Sequence, residues 1–279
     1  MFRSLFLTLI SVQMCADSVA IFLEDQSSES SYIVKAPEFQ LESKLIFPKH
    51  FNTLGISYNY SYLDYDFAIS THFLLHSSDQ KGEDFDWKNG ELTVYSSSTD
   101  ILDSYQHYKF QISKKISPEF SLTAAFVYKD TQEHWSNTKQ QNYITDTTSQ
   151  LTETTLQFSQ TFYTYLLGMT YSKKLFSEFS VHFNPSFTYS YIDTKDVHIV
   201  RNFYVFQNAQ AFGYDLKLLL QKKLTENSTL GLNLQYSNVK DKQTDMSYYY
   251  ISSGNHFATY PSSYQYNDFK LGLNYMYTF

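Results

Sequence analysis

The sequence predicts an all-β fold: a transmembrane antiparallel β-barrel of about ten strands that extends above the membrane. Three observations predict it. Residues 265–279 alternate without a break, Phe269, Leu271, Leu273, Tyr275, Tyr277 and Phe279 on one face and Lys270, Gly272, Asn274, Met276 and Thr278 on the other. A period of two with one apolar aromatic face and one small or polar face is the pattern of a strand between lipid and a polar lumen. The first residues read as a secretory signal, with Arg3 followed by the mostly apolar run Leu5 to Met14. Aromatic residues make up 19% of the chain, with 26 Tyr and 24 Phe, which favours a barrel with aromatic belts at the membrane interfaces.

The remaining composition narrows the class further. No segment beyond the signal approaches the length of an apolar spanning helix, so a closed barrel or a surface anchor is left. A net charge of −7 argues against nucleic acid as a partner. Small residues near Ala16 suit signal cleavage, giving a signal peptide over residues 1–16 and one barrel domain over 17–279. Cys15 invites a lipoprotein reading, which bulky Gln13 and Met14 fit poorly. Cleavage after it leaves a mature chain without cysteine, hence without a disulfide framework.

Three similar segments separate alternating runs: Lys114-Lys115 to Phe120, Lys173-Lys174 to Phe179 and Lys222-Lys223 to Ser228. These read as tight periplasmic turns whose lysine pairs leave the hydrocarbon at the interface, with a fourth turn near Leu63 to Asp66. The first strand is expected over 19–32 and the second over 36–62. The polar stretches 77–100, 136–150, 199–207 and 241–262 fall at the opposite end and are expected as extracellular loops.

Two acidic constellations lie on the loop side: Asp84-Phe85-Asp86-Trp87 and Asp196-Val197-His198. Counting by twos from Ser180 puts Asp196 and His198 on the lumen face, if no bulge intervenes. A carboxylate beside an imidazole fixes its tautomer and strengthens it as a base towards water. Two carboxylates facing it can hold that water and share a proton. Each pair alone fits solvated loop charge better than a catalytic role, and a divalent-metal reading of Asp84 and Asp86 lacks a third ligand nearby.

With these motifs the chain resembles the omptin family, ten-stranded outer-membrane endopeptidases with an active site at the extracellular rim. The resemblance rests on Asp84-Phe85-Asp86-Trp87, on Asp196-Val197-His198, on the stretch Ser43 to Trp87, and on the ending Leu271 to Phe279. It implies that Asp196 and His198 are a dyad activating water. Asp84 and Asp86 are implied as an opposing couple that positions it, with no covalent acyl-enzyme. It also implies a preference for basic residues at the cut bond, carried by two acids. One falls near Glu29; the other falls at a position that is Thr194 here. The expected partners are peptide or protein substrates and outer-membrane lipid, and the expected state is a monomer without a cofactor. The family's lipopolysaccharide dependence falls on Tyr128, Asp130 and Gln132, the last replacing an arginine. The segment Leu92 to Thr99 lacks the Asp, His and Pro of a further family signature. A barrel of the same shape acting as adhesin or small channel is the competing reading; a lipid hydrolase would want a Ser-His-Asn set, and no such spacing stands out.

Overall fold

Residues 17–279 are described in a computed structural model, and the expected signal peptide lies outside them. The strands are β1 (Ser18–Ala36), β2 (Leu41–Tyr62), β3 (Tyr65–Ser78), β4 (Gln80–Lys88), β5 (Glu91–Lys115), β6 (Phe120–Asn142), β7 (Thr147–Leu151), β8 (Leu156–Lys174), β9 (Phe179–His198), β10 (Phe203–Lys223), β11 (Ser228–Asp241), β12 (Thr244–Tyr250) and β13 (His256–Thr278). Pairing merges these thirteen segments into ten staves. β3 and β4 both lie between β2 and β5, β7 and β8 both run along β6, and β11 and β12 both lie between β10 and β13. The sheet closes where β1 pairs antiparallel with β13, from Ser18 opposite Thr278 to Val34 opposite Ser262. Closure leaves no edge, as a sheet in hydrocarbon requires.

The three lysine-flanked segments are tight turns of one geometry. The N–H groups of Ile116, Leu175 and Leu224 donate to the carbonyls of Phe120, Phe179 and Ser228, each at 2.9 Å. The fourth turn, at 63–64, uses Leu63 at a positive φ of 54°. Asp66 beside it meets Lys115 at 3.2 Å.

Outward side chains draw a band around the barrel. Leu23, Leu54, Leu122, Leu167, Leu232 and Leu273 are all exposed. Tyr60, Tyr62, Phe120, Phe179 and Tyr277 border them on the short-turn side, and Tyr108, Tyr163, Tyr191, Tyr236 and Phe269 border them on the other. Leucines between two aromatic girdles are the outer surface of a membrane-spanning barrel. Past the upper girdle the outward positions turn polar, as at Asp25, Ser27 and Glu29 on β1, so the wall continues out of the bilayer. The stretches expected as loops are largely this wall. Residues 77–100 form the end of β3, β4 and the start of β5, while 136–150 and 241–262 are likewise mostly strand. Inward–outward alternation persists there: Gly82 and Asp84 are buried while Lys81 is exposed. A polar outer face outside the membrane reads as loop in a sequence, yet it keeps the strand period.

Inside, the lumen is polar and filled. Glu24 meets His72 at 3.2 Å, Asp268 meets Lys270 at 3.6 Å, and Lys129 Nζ sits 3.7 and 3.5 Å from the ring centres of Phe162 and Tyr266. Higher up, Lys49 and Glu133 form an almost fully buried pair at 3.0 Å. Over this pair lies an apolar layer in which Phe47 stacks on Phe158 with centroids 4.0 Å apart and meets Trp135 at 4.9 Å. Tyr32, Met246 and Val205 complete it, all buried. Trp135 fits because Gly82 opposite has no Cβ; one there would lie 2.4 Å from the indole.

Leu273, exposed midway between Phe269 and Tyr277, is expected to tolerate no charge. Leu273→Arg should cost about 2–4 kcal/mol in urea titrations of the barrel in lipid vesicles. A variant as stable as the parent would overturn the lipid-facing assignment.

Candidate active site

Two rim segments bring the acidic motifs to one cavity. On β4, Asp84 lies opposite Leu45 of β2 and Ser96 of β5, and Asp86 lies opposite Ser43 and Val94. Their shared parity points both inward. A bulge between Asp86 and Trp87 ends the register there, and Trp87 stacks on Phe85 on the outer side at 5.6 Å. Across the mouth, β9 keeps unbroken pairing with β8 and β10 along its upper half, so the count from Ser180 holds and Asp196 and His198 face inward. Asp84 and Asp86 therefore sit on a strand, not in a loop. They line, together with His198, a cavity of about 440 Å³ at the long-stranded end.

Each member of the dyad is held from two sides. Asp196, 1% exposed, accepts through Oδ2 from Tyr32 Oη and from His198 Nε2, the latter at 3.0 Å. Burial, then the charge of Asp196, pushes the Tyr32 hydroxyl well above its ordinary pKa, so it stays a donor. The His198 ring stacks on Phe203 at 4.4 Å with a 28° tilt, and Phe203 packs in turn on Tyr248. With Nε2–H directed at Asp196, Nδ1 is the nitrogen left to accept a proton.

The couple is electrostatically tense. Ser43 Oγ donates to Asp84 Oδ1 at 3.3 Å, and Arg201 Nη2 lies 3.7 Å from Asp84 and 3.8 Å from Asp86. Burial chiefly, and Asp86 next, raise the pKa of Asp84 to about 7; Arg201 and His198 oppose that rise. A carboxyl so placed keeps its proton to near neutrality.

Arg201 was not among the sequence candidates. It stands on the β9–β10 turn, where Asn202 N–H donates to Ile199 O at 3.3 Å and Asn202 takes a positive φ of 55°. Its signal was compositional: the chain has only two arginines, and the other is Arg3. Tyr32, equally unforeseen, needs the register of β1 to be recognised as inward.

The residues expected to read a basic substrate do not meet in the cavity. Glu29 lies on the outward, exposed face of β1, because the inward set there is Ser28, Ser30 and Tyr32. Thr194 faces inward but is 3% exposed, one inward step below Asp196 and opposite Gln160. Tyr128, Asp130 and Gln132 lie on the outer wall of β6. Tyr128 packs between Tyr108 and Tyr163 at 6.1 and 5.6 Å, and Asp130 accepts from Thr161 at 2.8 Å.

A raised Asp84 pKa sets a direction for stability. Between its usual 3.8 and about 7 the folded chain holds a proton that the unfolded chain has released, so stability falls as pH rises through that window. Asp84→Asn should flatten that part of the curve of urea midpoint against pH. An unchanged slope would show that Asp84 titrates normally.

No protein-family model matches this sequence, and no curated protein matches it. Among solved structures it is similar to the outer membrane protease OmpT from Escherichia coli, with a TM-score of 0.82 and 14% identity, over 94% of this chain and 96% of that one. The translocator domain of the autotransporter NalP from Neisseria meningitidis aligns at a TM-score of 0.42 and 9% identity, covering 100% of this chain and 95% of that one. OprG from Pseudomonas aeruginosa aligns at 0.40 and 8%, covering 95% and 98%. The chain thus has the fold of an omptin barrel over nearly its whole described length, as the resemblance in its sequence implied.

Proposed function

We propose that this chain is a distant omptin-type endopeptidase of a bacterial outer membrane, monomeric, with its cleft facing the exterior and peptides or proteins as substrates. One observation carries the reading: Asp84 and Asp86, far away in sequence, line one cavity with His198, itself anchored on buried Asp196, at the rim of an OmpT-like barrel. The outward placement is supported by the short turns with their lysine pairs at the other end, as in outer-membrane barrels whose turns are periplasmic.

The chemistry follows from the groups present. A water molecule between the pairs gives its proton to Nδ1 of His198, whose Nε2–H is anchored on Asp196. The water oxygen bonds to the scissile carbonyl carbon. Asp84, protonated up to about pH 7, donates a hydrogen bond to the carbonyl oxygen as negative charge develops there. His198 then returns its proton to the departing amine nitrogen as the C–N bond breaks, leaving a free acid and a free amine. No acyl-enzyme forms. The channel alternative gains no support from this architecture, since Phe47, Phe158 and Trp135 pack together in the lumen beneath the mouth.

Asp196→Ala and His198→Ala should each lower kcat/KM for a cleavable peptide by roughly 10²–10⁴-fold. The refolded variants should keep the heat-modifiable gel mobility of an intact barrel. Retained cleavage in either variant would sink the proposal. Activity should fall on the alkaline side as Asp84 loses its proton near pH 7. Arg201→Gln removes a charge that holds Asp84 down, so the alkaline limb of the pH–rate profile should move up. A limb that stays put would take Asp84 out of the mechanism.

A further inference from the structure

We infer that the cleft selects peptides with an apolar or aromatic side chain beside the cut bond, not a basic one; this rests on the endopeptidase reading above. The cavity next to Asp84, Asp86 and His198 has apolar walls. One side is the β1–β2 hairpin, with Val34, Leu41 and Leu45; the other carries Phe203, Val205 and Tyr248. Its volume of about 440 Å³ lies in the range of clefts that bury a ligand, roughly 300–1,000 Å³.

Charge decides against a cationic occupant. Three carboxylates line this cavity, and each already faces a cation of the chain. Glu42 meets Lys35 at 3.2 Å, and Asp84 and Asp86 share Arg201. Lys88 is a further positive lining residue. An arginine or lysine entering here would compete with Arg201 and Lys35 for acids they already face, would meet the cation Lys88, and would leave water for an apolar wall. Glu29 is outside the barrel and position 194 is a buried threonine, so neither supplies the missing charge. A leucine or phenylalanine side chain meets no such cost and gains its burial.

The test uses refolded barrel in detergent micelles with three quenched fluorogenic peptides, identical except for Phe, Leu or Arg on the amino side of one defined bond. The Phe and Leu peptides should be cut with kcat/KM at least about ten-fold above the Arg peptide. Leu41→Glu, a half-exposed wall position, should move the ratio towards Arg. Preference for the Arg peptide in the parent protein would overturn this inference and leave the peptidase standing. Failure to cut any of the three, or of a mixed-sequence peptide library, with parent and Asp196→Ala alike, would overturn both.

Discussion

Backbone hydrogen bonding without water is the constraint from which the rest of this molecule follows. Inside a bilayer an unpaired N–H or C=O costs several kcal/mol, so β1 must find β13. Once the ring is closed, each side chain has two choices, lipid or lumen, and the choice alternates along every strand. The same bookkeeping continues above the membrane, where β4, β7 and β12 prolong the staves. Asp84, Asp86, Asp196 and His198 are thereby carried on paired strand backbone instead of mobile loops. A site assembled across a barrel mouth needs that rigidity, because its two halves share no local sequence.

The aromatic layer beneath the rim does a second job that the ring alone could not. Charged groups crowd the lumen, and Lys49 with Glu133 lies directly under the layer. Without Phe47, Phe158 and Trp135 between them, that pair would join the electrostatics of the rim. The layer also lowers the dielectric around Asp84, and burial is the largest cause of its raised pKa. Tyr32 spans both worlds, its ring packed on Phe47 and Phe158 at 5.8 and 6.2 Å and its hydroxyl on Asp196. Packing thus fixes the depth at which the dyad sits.

What could be read in the sequence was whatever a period of two or a repeated turn encodes. The lysine-flanked turns and the inward parity of Asp196 and His198 were legible because they are local, and the parity count survived because no bulge interrupts the upper half of β9. The extent of the upper wall was not legible. Its outer face is as polar as a loop, so composition hid a strand that pairing reveals. Glu29 shows the limit from the other side: alignment alone placed it near the site, the register turns it outward, and one residue in a strand is the difference between inside and outside. Arg201 and Tyr32 depend on which staves meet across the mouth, and that is information only the closed ring contains.

Arg201 makes the rim chemically self-sufficient. Two adjacent carboxylates would ordinarily call for an external cation or draw a basic side chain into the cleft. Here a guanidinium from the β9–β10 turn stands within 4 Å of both, three residues beyond His198. It restrains the rise of Asp84 without abolishing it, leaving one exchangeable proton near neutrality. A couple whose charge is already balanced has no need of charge from a substrate. In the proposed peptidase, recognition would then fall to the walls, where valine, leucine, phenylalanine and tyrosine stand beside the charged groups.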